Sequence, residues 1–287
     1  MKKIALLLFS IFTLSLVTSC TSIDDGGATY YDDASLLLNQ YDLWEVDHSR
    51  TTGSGQDPFI ERAITLSFYN GVLYGNNNFS GFGYTGNGYG IDVGIYNLGY
   101  NSLTVRHDVY GTFNFQINYI GGNTIQLIDR YNNVSYVLNG YNKAYYDYDY
   151  VFYNNIQYFL QEFQGWRKVY TSATGTPNTF DNENFLKFDT QGNIFYSSYD
   201  NYNMPINQVY WDYNGIYSIG NTNSFTTKTL TLRYSNNQYE DFYLTVINDN
   251  KIKLQHTSGT TYEFEGNGYI QFLRPGYKTT AQLKSGK

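Results

Sequence analysis

Few residues of this chain are typed and spaced for chemistry. The three histidines, His48, His107 and His256, are far apart. No His or Cys cluster has metal-ligand spacing, so no zinc or other nitrogen–sulfur site is expected. Asp47-His48-Ser49 has the residue types of a hydrolytic triad, but neighbours on a strand point to opposite faces and cannot form a relay. DNEN (181–184) and NDN (248–250) offer oxygens to a hard cation. They lack the ligand register of a calcium loop and read as Asx-rich turns. Gly81-Phe82-Gly83-Tyr84-Thr85-Gly86 satisfies G-x-G-x-x-G without the preceding strand and following helix of a phosphate cradle. Barrels can converge acids from distant strands, but Asp92 and Asp212 sit near equivalent positions of the two repeats, which suits a structural role. The expectation is a protein with no catalytic residues, no metal and no cofactor. One thiol remains, Cys20, the only cysteine in 287 residues.

The elements around Cys20 give it a setting. Met1-Lys2-Lys3 is a positive n-region, Ile4 to Val17 an apolar run, and Thr18-Ser19 are small residues before the thiol. Residues 1–19 therefore read as a secretory signal peptide, too short to span a bilayer. Val17-Thr18-Ser19-Cys20 resembles a bacterial lipobox. The resemblance implies cleavage before Cys20, acylation of that cysteine with palmitate-type chains, and anchorage of the mature chain to a membrane. Thr21 is not the aspartate of an inner-membrane retention signal, and Asp24-Asp25 resembles the surface-export signal of Bacteroidetes outer-membrane lipoproteins. Without residues 1–19 the chain loses Lys2 and Lys3, leaving 16 basic residues against 25 acidic, a net charge of −9. An acidic chain with no basic cluster is not expected to bind nucleic acid, or lipid headgroups through a polybasic patch.

With 33 Tyr, 19 Phe and 27 Gly, the residue mix favours strands and tight turns over helices. After an acidic tether at 20–35, the sequence repeats itself in order. LLLNQYDLWEV (36–46) aligns with YFLQEFQGWRKV (158–169), pairing Leu38 with Leu160, Tyr41 with Phe163 and Trp44 with Trp166. ITLSFYNGVLY (64–74) aligns with FLKFDTQGNIFY (185–196), DVGIYN (92–97) with YNGIYS (213–218), and LTVR (103–106) with LTLR (230–233). FNFQINYIGGNTIQLI (113–128) aligns with FYLTVINDNKIKLQ (242–255), and SYVLNGY (135–141) with TYEFEGNGY (261–269). Within blocks the period is two: Ile252 and Leu254 alternate with Lys251, Lys253 and Gln255. That is a half-buried antiparallel strand. About eight strands per repeat suit a small closed barrel, and closure removes exposed edges.

An apolar segment, a Trp on the first strand and a meander of hairpins resemble the lipocalin-like up-and-down barrels, twice over. That family's Gly-x-Trp is represented by Leu43-Trp44 and Gly165-Trp166. The expected organisation is all-β: a first barrel at 36–142, a Tyr/Asp-rich linker at 143–157, a second barrel at 158–275 and a tail at 276–287. Both Trp residues are expected to be core plugs. The linker reads as a connecting strand or as ordered chain folded onto both barrels.

Two aromatic loops, 75–90 and 197–211, are the candidate contact surfaces. They carry Phe79, Phe82, Tyr84 and Tyr89, and Tyr199, Tyr202 and Trp211. Rigid rings beside amides suit protein or sugar contact. The expected function is non-catalytic: a lipid-anchored outer-membrane protein, exposed at the cell surface, serving as a recognition or scaffold module or an accessory subunit of an envelope complex. The alternative is a carrier of a small apolar ligand or a glycan, which requires an open barrel interior.

Overall fold

A computed structural model of the chain describes residues 35–190 and 192–271. The signal peptide, Cys20, Asp24, Asp25 and the tail at 276–287 lie outside the described residues. Two closed antiparallel barrels of eight strands follow one another, each strand bonded to the next in sequence. The first comprises β1 (Leu43–Gly53), β2 (Thr65–Tyr69), β3 (Val72–Asn76), β4 (Ile91–Gly99), β5 (Ser102–His107), β6 (Gly111–Gly121), β7 (Thr124–Asp129) and β8 (Val134–Tyr141). The second comprises β9 (Phe163–Thr171), β10 (Phe185–Phe188), β11 (Ile194–Ser198) and β12 (Tyr213–Asn221), then β13 (Thr227–Tyr234), β14 (Tyr239–Asn248), β15 (Lys251–His256) and β16 (Thr261–Tyr269). No described helix is long and apolar enough to cross a membrane.

Alternation in the sequence becomes inside and outside. On β7, Ile125, Leu127 and Asp129 are buried while the residues between them are half-exposed; on β15 the buried row is Ile252, Leu254 and His256. Tight turns begin where Asn supplies left-handed backbone: Asn70-Gly71 joins β2 to β3, with φ of 50° and 78°, as two-residue hairpins require. In the second barrel the left-handed pair is Gly192-Asn193, one residue later than Gln191-Gly192 suggests.

Each barrel is stoppered in the same way. Among the described residues the helices are α1 (Ser35–Leu38), α2 (Pro58–Glu61), α3 (Tyr148–Asn154) and α4 (Ile156–Leu160), of which α1 precedes β1 and α4 precedes β9. Trp44 and Trp166 are fully buried, and their indole N–H groups donate to the Leu38 and Leu160 carbonyls at 3.2 and 2.8 Å. A buried indole needs such a partner. Both Trp residues sit opposite a glycine of the closing strand, Gly140 and Gly266. A Cβ at Gly140 would lie 2.5 Å from the Tyr41 ring, and one at Gly266 would lie 2.6 Å from the Phe163 ring. The aligned triplets Tyr41–Trp44–Gly140 and Phe163–Trp166–Gly266 are thus one packing unit used twice.

The rest of each interior is filled with side chains. Leu66, Val93, Leu103, Phe115, Ile117, Leu127 and Leu138 are buried in the first barrel, and Phe188, Phe195, Leu230, Phe242, Leu254 and Phe264 in the second. The segment between barrels is helical rather than extended, with a 3-10 turn at Lys143–Tyr145 and helix α3 (Tyr148–Asn154). Asp147 caps α3 by accepting from the Tyr150 amide at 2.9 Å, and Tyr146 and Tyr148 of this run pack edge-to-face on each other and on Phe82 of the loop of 75–90.

Candidate functional site

The loop of 75–90 does not offer the surface its composition suggests. Phe79 and Phe82 are buried, 4% and 5% exposed. Phe79 packs on Phe152 and Tyr158, and Phe82 on Tyr146 and Tyr148. The backbone N–H groups of Phe79 and Ser80 both donate to the Glu162 carboxylate, the second at 2.8 Å. Asn78 donates to the Ile270 carbonyl at 2.8 Å, and Ser80 to the Asp249 carbonyl at 2.8 Å. The G-x-G-x-x-G loop therefore begins beside two backbone N–H groups that converge on one acceptor, and that acceptor is the chain's own Glu162 carboxyl. This loop joins the barrels. Of its aromatics only Tyr84 stands free, 80% exposed. Tyr89 stacks on Tyr69 at 5.5 Å with the Lys143 ammonium 4.2 Å from its ring centre.

The loop of 197–211 is different. Tyr199 and Tyr202 are exposed, and Trp211 is half-buried, tilted against Tyr196. Tyr199 lines a cleft of about 660 Å³ on the second barrel, with Asp181, Glu183, Glu240, Tyr213, Tyr234 and the amides of Asn182, Asn184, Asn236 and Gln238. Tyr202 and Trp211 do not line it.

Several elements build this cleft. A 3-10 turn, Thr179–Asn182, is held by reciprocal bonds between Asn178 and Asp181 and delivers Asp181 and Glu183 to it. Strand β13 ends in Tyr234, whose hydroxyl donates to both Glu183 oxygens at 2.8 and 2.7 Å. Glu240, the second residue of strand β14, meets His256 of β15 at 2.7 Å and accepts from Thr179 at 3.0 Å. Tyr262 of β16 donates to Asp181 at 2.6 Å. Behind them, Lys168 of β9 donates to the Asp181 carbonyl at 2.6 Å.

Burial separates the acidities of these groups. It pushes Glu183 up to about 7, against the hydroxyls of Ser197 and Tyr234, which favour the charged form. Burial also raises Asp181, but the Tyr262 hydroxyl, the Asn178 amide and the charges of Lys168 and His256 together hold it below the usual carboxylate range. Lys168 is lowered to about 8 by burial, with Asp181 and Glu183 opposing. Carboxyls pushed apart within one cleft make it a candidate functional site.

The first barrel supplies a control within the same molecule. Strand register places Ala63 where the second barrel has Glu183, since Val46 and Lys168 donate equivalently to Ile64 and Asn184. Register likewise pairs Val46 with Lys168, Gly75 with Ser197, Phe113 with Glu240 and His107 with Tyr234. Phe59, Phe113 and His107 pack together there. One copy fills the position with apolar groups; the other opens it and lines it with acids.

Sequence reasoning did not select Glu183, Glu240, Tyr213 or Tyr234. The exchange of Ala63 and Phe113 for acids emerges only from strand register, because the repeat aligned by sequence pairs Phe113 with Phe242 and leaves Ala63 outside its blocks. Asp92 and Asp212 make local backbone contacts, to Gly94 and Tyr199, and neither lines the cleft. His48 meets the Ala63 carbonyl at 2.8 Å. Among the described residues, no group of three His, Cys, Asp or Glu side chains could hold a metal. The chain matches no protein-family model and no curated protein.

Proposed function

We propose that this chain is a lipid-anchored, surface-exposed outer-membrane protein of non-catalytic character that recognises a polar ligand, a glycan segment, through the cleft of its second barrel. The observation that carries this reading is the internal contrast. Buried polar and ionic groups do not in general add stability over apolar ones, and the sister barrel, which buries Asp57 and Asp129 elsewhere, has Ala63 and Phe113 at the places of Glu183 and Glu240. A cleft bordered by tyrosine rings, amides and carboxylates suits a polyhydroxylated ligand, because rings cover sugar faces and planar polar groups pair with hydroxyls. The first barrel, joined through Glu162, would act as a spacer between anchor and site. Carriage of an apolar ligand inside a barrel draws no support from interiors filled with side chains.

Two experiments test the two halves of the proposal. Metabolic labelling with an acyl probe should mark the wild-type chain and not a Cys20→Ser variant, and protease added to intact cells should remove it; protection of the protein would remove the surface claim. The detergent-solubilised lipoprotein should retain members of an oligosaccharide panel that a Glu183→Gln variant releases. Retention unchanged by that substitution would place recognition elsewhere.

A further inference from the structure

Proton and charge accounting narrows the ligand. Every ionisable carboxyl lining the cleft is acidic in sign, and no Lys or Arg is among its described lining residues. Asp181 and Glu240 have polar partners: Asp181 receives Tyr262 and the Asn178 amide, and Glu240 receives His256 and Thr179. Glu183, 6% exposed, receives Tyr234, a neutral donor, and among the described residues no cation lies within ion-pair distance of it. The nearby Lys168 ammonium is committed to the Asp181 carbonyl. A second feature is aromatic. Tyr199 and Tyr213 rings are 6.1 Å apart at 60°, and Tyr213 and Tyr234 are 6.0 Å apart at 85°, forming a run of edge-to-face rings along one side of the cleft. Angled tyrosine faces beside carboxylates attract an organic cation through ring quadrupoles and charge together, and they repel anions.

We propose that the group this cleft selects is an organic ammonium, carried on a saccharide as a free amine, with Glu183 as its counter-ion and Tyr199 and Tyr213 as its aromatic wall. This rests on the cleft being a recognition site and goes further by fixing the charge of what enters. It excludes phosphorylated, sulfated and uronate glycans as preferred ligands.

The inference has a pH signature. Glu183 is faced by Tyr234 of β13, Ser197 of β11, Glu240 of β14 and, more distantly, Lys168 of β9 and Asp181 of the 3-10 turn. An ammonium beside it favours the ionised carboxyl, so binding releases its proton wherever the free cleft holds one. Affinity therefore rises as pH climbs through 7.

The test is isothermal titration of the whole detergent-solubilised protein with choline, whose charge does not titrate, and with its neutral carbon isostere 3,3-dimethylbutan-1-ol. A glucosamine trisaccharide and its fully N-acetylated form provide the saccharide arm. Choline and the free-amine sugar should bind, and their neutral counterparts should bind at least tenfold more weakly. Choline affinity should increase about tenfold from pH 6 to pH 8, as expected of one carboxyl titrating near 7. Glu183→Gln, which preserves an acceptor for Tyr234, should abolish both the preference and the pH dependence with an unchanged circular dichroism spectrum. Tyr213→Ala, at a 43% exposed position, should weaken choline without altering its pH profile, which covers the case of a misfolded Glu183 variant. Equal binding of the acetylated sugar or of the carbon isostere overturns the ammonium inference and leaves the recognition reading standing. Failure of every amine, neutral and acidic saccharide to bind would overturn both.

Discussion

The two barrels are built from one plan, and they part company at a few inward positions. Both carry eight strands in sequential order, a Trp hydrogen-bonded to the carbonyl six residues before it, and a glycine opposite that Trp. The first places Val46, Ala63, Gly75 and Phe113 where the second places Lys168, Glu183, Ser197 and Glu240. A frame that carries Ala63 and Phe113 at two of these positions has, in its other copy, accepted carboxyls there and an open cleft. The shared positions explain how the chain folds, and the differing ones make up the proposed recognition cleft.

The largest expected effect attacks what is shared. Trp44→Ala and Trp166→Ala should each lower stability by about 3–5 kcal/mol, the range for deleting a large buried aromatic; denaturant melts in which one substitution is harmless would break the equivalence. Next comes transplantation of the difference. Ala63→Glu puts a carboxyl into the first barrel without counterparts of Tyr234 and Ser197, and should cost about 3 kcal/mol or more. A melt unchanged by Ala63→Glu would mean that the first barrel also tolerates an acid there.

A pH series gives a smaller effect of determined sign. Burial raises Asp57 to about 6, Glu183 to about 7 and Glu162 to about 8. Each holds its proton when folded at pH values where the unfolded chain has released it, so stability should fall as pH rises from about 4 to 8. Glu183 alone would contribute a decline on the order of 3 kcal/mol, and Glu183→Gln should flatten that part of the slope. Stability that instead rises over this window would refute the assignment. The smallest effect separates the two aromatic settings of one loop: Tyr84→Ala should stay within about 0.5 kcal/mol of wild type, whereas Phe79→Ala and Phe82→Ala should loosen the joint between barrels, read as faster proteolysis there.

Much of this architecture is legible in the amino-acid order. The two-residue period of β7 and β15, the Asn-Gly turn at 70–71 and the collinear Trp44 and Trp166 lead directly to paired eight-stranded barrels, because strand alternation and turn chemistry are local. What is not local is harder to see. A Gly- and Phe-rich loop reads the same whether it faces solvent or a neighbouring barrel, and only the Glu162 carboxylate, 82 residues from Ser80 in sequence, decides that Phe79 and Phe82 are buried. The linker's Tyr and Asp residues suit a strand by composition, yet Asp147 caps a helix. The cleft draws on segments some sixty residues apart, Asp181 and Glu183 with Glu240, and 181–184 taken alone looks like a turn. The exchange of Ala63 and Phe113 for acids is hidden in the sequence, because matching the repeat by residue type sets Phe113 against Phe242, and only strand register sets it against Glu240.

The most direct test of the claim that the second barrel acts where the first only folds is to write the first barrel's residues into the second. A chain carrying Lys168→Val, Glu183→Ala, Ser197→Gly and Glu240→Phe should be titrated against the saccharides that the wild type retains. It should keep its β-sheet spectrum and its cooperative melt, and it should lose binding altogether. Binding that survives the exchange would contradict the account.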